Sequence, residues 1–165
     1  MKKNIFDDER VAGMLELLRE RKETITTVES CTGGLLAARI TDIPGSSDVF
    51  HQGFITYCDE AKAAMVGVSI DTLKAFTAVS RQTAGEMAQG GALAARADAC
   101  LSVTSYAGPP SGPEDRVGLV YVGCFYRDAV QVKELHLQGG RRQIREASVE
   151  EALGLLELAL ASNPD

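Results

Sequence analysis

The segment Glu29-Ser30-Cys31-Thr32-Gly33-Gly34 carries the groups in this chain that are most suited to chemistry. It lies between residues 24–29, whose β-branched composition predicts a strand, and the apolar run 35–41, which predicts a helix. A hydroxyl at such a turn can act as a nucleophile, and unpaired amides at the helix start can hold an oxyanion or a phosphate. Glycines 33 and 34 leave room for a ligand beside the backbone. The alternative is that Ser30 and Thr32 only cap the helix.

A base for that nucleophile is available in Tyr57-Cys58-Asp59-Glu60-Ala61-Lys62. A lysine can accept a proton when burial or nearby positive charge lowers its pKa, and a tyrosine can relay one. The alternative places Lys62 on a solvated helix face and Tyr57 in the core. Cys31 is a competing nucleophile, since a thiol at a helix N-terminus has a lowered pKa. We rank it below Ser30 because no histidine lies nearby in the sequence to serve as its base.

Two further segments are candidates for binding a ligand. Thr104-Ser105-Tyr106-Ala107-Gly108-Pro109 follows a predicted buried strand, and its small residues would leave space for a substrate. Paired arginines in Gly139-Gly140-Arg141-Arg142 could bind phosphate in bidentate fashion. The alternative for residues 104–109 is an ordinary loop after a strand, and the alternative for residues 139–142 is a solvent-exposed basic turn.

These segments alternate with predicted helices and strands, which indicates an α/β fold. We expect a three-layer α/β/α sandwich with a mixed, mainly parallel sheet and a late β-hairpin, formed as a single domain over residues 1–165. The tight turn of the hairpin is predicted at Arg127-Asp128. Helices are predicted at 7–22, 35–41, 59–67, 80–96 and 141–161, strands at 24–29, 53–57, 99–104, 117–126 and 129–137, and loops at 44–47 and 106–115.

Composition narrows the functional classes. The chain has 165 residues, 45% of them hydrophobic and 24% charged, and a net charge of -6. That charge opposes a broad nucleic-acid footprint, and no apolar run is long enough to span a membrane. The opening residues lack the apolar core of a secretory signal, so we expect a cytoplasmic protein. Four scattered cysteines and two histidines favour neither disulfides nor a metal site.

Taken together, the motifs resemble the C-terminal CinA family, also called nicotinamide-mononucleotide deamidases. The family pattern is approximately E-S-C-T-G-G, D-x-P-G-S-S, Y-x-N-E-A-K, G-A-V-S, G-I-A-G-P and G-D-R. In the same order this chain has Glu29–Gly34, Asp42-Ile43-Pro44-Gly45-Ser46-Ser47, residues 57–62 with Asp59 for Asn, and Thr77-Ala78-Val79-Ser80 with Thr77 for Gly. The match covers nearly the whole chain.

The resemblance implies hydrolysis of nicotinamide mononucleotide to nicotinate mononucleotide and ammonia by a serine mechanism that requires no cofactor or metal. It implies Ser30 as nucleophile, with Lys62 and Tyr57 as proton-transfer partners. The residues implied to bind the substrate are Cys31, Thr32, Gly33, Gly34, Thr104, Gly108 and Arg141. The expected partner is a small nucleotide, with no nucleic acid and no membrane, and by resemblance alone we expect a homo-oligomer.

Two departures from the pattern leave a second hypothesis open. Ser105-Tyr106 replaces Gly-Ile, and Gly140 replaces the aspartate of G-D-R. Added bulk and a lost carboxylate could alter the pocket, so the alternative is a nucleotide-binding or regulatory module with impaired catalysis. A third and weaker hypothesis, action on nucleic acid, is opposed by the acidic charge.

Overall fold

A computed structural model describes residues 8–112 and 116–164. They form a single sheet with helices on both faces. In chain order the elements are α1 (Asp8–Glu20), β1 (Ile25–Glu29), α2 (Leu35–Thr41), β2 (Phe54–Ile55), α3 (Asp59–Val66), α4 (Ile70–Phe76), α5 (Arg81–Ala95), β3 (Ala99–Ser105), β4 (Leu119–Tyr126), β5 (Ala129–His136) and α6 (Arg141–Ala161).

The sheet is mixed, with strand order β2-β1-β3-β4-β5. Strand β1 lies parallel to both β2 and β3, whereas β4 pairs antiparallel with β3 and with β5. The connection between β4 and β5 is the predicted tight turn, where Arg127 and Asp128 have φ values of 47° and 62°. The mixed sheet and the late hairpin are therefore confirmed.

Helices α1, α2 and α6 cover one face of the sheet, and α3, α4 and α5 cover the other. Successive side chains of β3 point to opposite faces of the sheet. Leu101 and Val103 belong to the core under α6, while Cys100 belongs to the core under α5. On that second face Ser102 Oγ donates a hydrogen bond of 2.7 Å to the carbonyl of Ala84 in α5. The three-layer sandwich is confirmed.

The structure differs from the sequence-based elements in short segments. Strand β2 covers two residues rather than 53–57, because only Phe54 and Ile55 find partners on β1 at this edge. Helix α4 was not predicted, since seven residues give little periodicity. A single 3₁₀ turn, Ser46–Asp48, lies partly within the predicted loop 44–47. Residues 1–7 and 113–115 lie outside the described residues. They include the opening segment, the first residue of the predicted helix 7–22 and part of the predicted loop 106–115.

The parallel strands bring the candidate segments to one edge of the sheet. Glu29, the last residue of β1, is level with Ile55 of β2 and Val103 of β3. Chain segments leaving these strands therefore meet beside Ser30, where binding sites of α/β sheets usually lie. In the described part of the chain, no helix combines the length and hydropathy needed to cross a bilayer.

Candidate active site

Ser30 and Lys62 meet at the carboxyl edge of the sheet. Lys62 Nζ lies 3.2 Å from Ser30 Oγ and 2.8 Å from the carbonyl oxygen of Thr56. Lys62 is 1% exposed and Ser30 is 9% exposed. Ser30 directly follows β1, and Lys62 lies in the first turn of α3. Two elements distant in sequence therefore form one buried hydroxyl–amine pair.

The environment of Lys62 destabilises the charged ammonium relative to that of a lysine in water. Burial lowers the pKa of Lys62, and the nearby Asp59 opposes that shift only in part. Its hydrogen-bond partners, Ser30 and Thr56, offer a hydroxyl and a carbonyl, neither of which carries a charge. The alternative of a solvated lysine on a helix surface is wrong for this residue. A neutral amine can donate one N–H to Thr56 and direct its lone pair at the Ser30 hydroxyl.

A cleft of about 200 Å³ opens over this pair, and we call it the Ser30 cleft. Six of the predicted site residues border it: Ser30, Cys31, Tyr57, Lys62, Thr104 and Arg141. The other five bordering residues are Ala78, Val79, Ser105, Tyr106 and Ala107. Thr32, Gly33, Gly34 and Gly108 are outside this lining; Thr32 is fully buried behind it.

Tyr57 and Arg141 form the rim of the cleft. The Tyr57 hydroxyl accepts a hydrogen bond of 3.1 Å from Arg141, which also donates to the carbonyl of Gly108. Tyr57 is 62% exposed, so its placement in the core, the alternative from sequence, is wrong. Its hydroxyl is bonded to Arg141 rather than to Ser30 or Lys62, and a part in proton transfer stays a prediction.

The start of α2 is not a set of unpaired amides. The buried Glu29 carboxylate accepts hydrogen bonds from the amides of Leu36 at 2.8 Å and Ala37 at 3.1 Å. The Gly33 amide donates to Ser30, and the Leu35 amide donates to Thr32. The expected anion cradle at the helix start is therefore wrong for these amides, because the chain supplies its own carboxylate there.

The turn after Ser30 is also held from α6. Arg145 donates hydrogen bonds to the carbonyls of Cys31 at 2.9 Å and Thr32 at 3.1 Å. Because C=O and N–H point to opposite sides of a trans peptide, Arg145 turns the amide of Thr32 away from α6. In the described structure the Thr32 amide has no hydrogen-bond acceptor. The Cys31 amide likewise has no backbone acceptor there, and of these two residues Cys31 is the one that borders the Ser30 cleft.

Cys31 does not have the properties of a reactive thiol. Burial raises its pKa, and this effect outweighs the opposing contribution of a hydrogen bond with Ser105. The expectation of a lowered pKa is wrong, since burial disfavours the charged thiolate. Both histidines, His51 and His136, are exposed and border no part of the Ser30 cleft. Ser30 therefore remains the better nucleophile.

Glu29, Thr56 and Arg145 contribute to the site, but the sequence assigned them no role. The spacing of Arg141 and Arg145 was the available signal, because residues four apart share a helix face. Tyr106 borders the Ser30 cleft and is 38% exposed. No group of three His, Cys, Asp or Glu side chains within residues 8–112 and 116–164 is arranged to hold a metal ion.

An α/β sandwich with a buried serine–lysine pair at its carboxyl edge is the class of protein that the fold and site define. Sequence comparison identifies the family: the model of the CinA C-terminal domain matches residues 8–160. The chain belongs to this family, and the resemblance seen in the motifs is confirmed.

Individual relatives agree with this assignment. A CinA-like protein of Kosmotoga olearia is 47% identical over 148 residues, which are 89% of this chain and 36% of the relative. A relative in Caldanaerobacter subterraneus, named as competence-damage inducible, is 47% identical over 92% of this chain and 37% of its own length. The chain thus spans less than two-fifths of these curated relatives.

Solved structures match over nearly their full length. The competence/damage inducible protein CihA of Agrobacterium tumefaciens is 40% identical with a TM-score of 0.88, covering 96% of this chain and 99% of that chain. A CinA superfamily protein of Klebsiella pneumoniae is 29% identical with a TM-score of 0.89, covering 94% and 98%. These matches confirm the α/β fold of the family.

Proposed function

We propose that this chain is an amidohydrolase that converts nicotinamide mononucleotide to nicotinate mononucleotide and ammonia. The single observation that carries the proposal is the contact between Ser30 Oγ and the buried amine of Lys62, 3.2 Å apart inside a cleft. The choice of substrate comes from the family resemblance, since the cleft itself indicates only a small ligand.

In the proposed mechanism, neutral Lys62 takes the proton of Ser30 as its oxygen attacks the carboxamide carbon. A backbone amide of the turn after Ser30, at Cys31 or Thr32, stabilises the oxyanion. Lys62 then gives the proton to the departing nitrogen, which leaves as ammonia, and a nicotinoyl ester remains on Ser30. Water, deprotonated by Lys62, hydrolyses that ester and restores the serine. At the rim, Arg141 is suited to the phosphate of the nucleotide.

Ammonia release from nicotinamide mononucleotide tests this proposal, with Ser30→Ala as the control. We expect release by the wild-type chain and none above background by the variant. Inactivity of the wild-type chain over a broad substrate range would refute the proposal. If the nucleotide nevertheless raised the thermal unfolding temperature, the hypothesis of a binding module with impaired catalysis would replace it.

Activity should rise with pH. Because burial lowers the pKa of Lys62, and because only the neutral amine can accept a proton, kcat/KM should climb as Lys62 deprotonates. The midpoint of the rise should lie below the ordinary lysine value of about 10.4. A pH–rate profile measures this midpoint. A fall in kcat/KM as the pH rises toward the ordinary lysine pKa would contradict a lysine base.

Arg145 should affect turnover more than substrate affinity. Arg145→Met removes both hydrogen bonds to the turn after Ser30, and we expect kcat to fall by about 10- to 100-fold, with KM changed less. Arg142→Met is the matched control, because Arg142 lies on the same helix, its side chain is 87% exposed, and it pairs with Glu146. Steady-state kinetics of both variants check this, and equal losses would contradict a positioning role for Arg145.

A further inference from the structure

One hydroxyl on the wall of the Ser30 cleft has only lone pairs left to offer a ligand. Thr104 is the last buried position of β3, and its Oγ1 donates a hydrogen bond of 2.8 Å to the carbonyl of Ala78. Both residues border the cleft beside Ser30 and Lys62. A hydroxyl has one hydrogen, and a carbonyl cannot return one, so Thr104 Oγ1 can act toward a ligand only as an acceptor.

The partner of Thr104 is fixed in place. The carbonyl of the preceding residue, Thr77, accepts hydrogen bonds from Ser80 Oγ at 3.1 Å and from Thr83 Oγ1 at 2.7 Å. Thr77 has φ 69° and ψ 173°, a conformation that residues other than glycine rarely adopt. A β-branched residue held in such a conformation indicates that the chain fixes this segment firmly. These contacts hold the chain immediately before Ala78, whose carbonyl accepts the Thr104 hydrogen.

We propose that Thr104 is a specificity-determining residue that accepts a hydrogen bond from the N–H of a primary carboxamide and disfavours the corresponding carboxylate. This inference rests on the proposed function and extends it to substrate choice and product release. A carboxamide presents two N–H donors, whereas the carboxylate formed by hydrolysis presents only acceptors. Lone pairs of the product would face the lone pairs of Thr104, so the site holds the amide and expels the acid.

Binding measurements in a Ser30→Ala background test the inference without turnover. By calorimetry, nicotinamide mononucleotide should bind more tightly than nicotinate mononucleotide to the Ser30→Ala chain. Adding Thr104→Val, which keeps the shape but removes the oxygen, should weaken amide binding by about tenfold and leave acid binding unchanged or tighter. Adding Thr104→Ser instead keeps the hydroxyl and should preserve the preference for the amide.

The outcomes separate this inference from the proposed function. The inference is overturned if adding Thr104→Val to the Ser30→Ala chain changes neither its unfolding temperature nor its preference for the amide. It is also overturned if neither nucleotide binds the Ser30→Ala chain. Ammonia release by the wild-type chain is assayed separately. A chain that releases no ammonia but loses its amide preference in Thr104→Val would refute the proposed hydrolysis and retain carboxamide recognition by Thr104.

Discussion

Lys62→Met is expected to lower kcat by roughly three orders of magnitude, and Ser30→Ala by about 10⁴-fold or more. The reason is their direct contact: without the amine nothing accepts the Ser30 proton, and without the hydroxyl there is no nucleophile. The double variant should be no slower than Ser30→Ala, because groups that act in one step are not additive. Steady-state rates of the three variants measure this, and losses that multiply would contradict a joint role.

The stability of Lys62→Met provides an independent control. The pKa of Lys62 is lower in the folded chain than in the unfolded chain, so the folded state releases this proton first as pH rises. The free energy of unfolding of the wild-type chain should therefore increase with pH between the folded and unfolded pKa values of Lys62. Lys62→Met should lack that increase. Urea titrations at a series of pH values separate this effect from simple misfolding.

Glu29→Ala is expected to lower the free energy of unfolding by about 3 kcal/mol. Glu29 is 1% exposed, and its two carboxylate oxygens satisfy the amides of Leu36 and Ala37 at the start of α2. Alanine would leave two donors unpaired in the interior. Glu29→Gln should cost less, because the one carbonyl oxygen of glutamine can still accept from one of the two amides, whereas its NH₂ group is a donor and cannot pair with the other.

Urea unfolding measures these losses, with Glu9→Ala as a control on an exposed residue near the start of α1. The control should change the free energy of unfolding by less than about 0.5 kcal/mol. A loss for Glu29→Ala no larger than that of Glu9→Ala would contradict the role of the carboxylate in capping α2.

Much of the fold could be predicted because local pattern and tertiary structure agree. Residues 141–161 form the last helix with the predicted bounds, and Ser80 caps α5 by accepting a hydrogen bond from the Thr83 amide. The hairpin turn at Arg127-Asp128 was predicted from its position between two strands. Helix α4 and the shortness of β2 were missed, because both depend on packing at the sheet edge rather than on periodicity.

The site could be predicted only as a set of segments. The sequence placed Ser30 after a strand and Lys62 early in the helix that follows the next strand, but their contact depends on how α3 leaves β2. Burial of Lys62 could not be predicted, because a lysine in a polar helical segment is usually solvated. Glu29 and Arg145 were given no role for a related reason: they contact backbone groups of the turn and of the start of α2, and neither the motif at residues 29–34 nor the spacing of Arg141 and Arg145 shows which backbone groups these are.

The most direct test of the account is whether the Ser30 hydroxyl is activated by Lys62, whichever substrate the chain uses. Reaction with a fluorophosphonate, followed by peptide mass spectrometry, measures the site and rate of labelling. If Lys62 activates Ser30, the label forms on Ser30 of the wild-type chain and forms far more slowly in Lys62→Met. A label on Cys31, no label at Ser30, or equal rates in the two chains would contradict it.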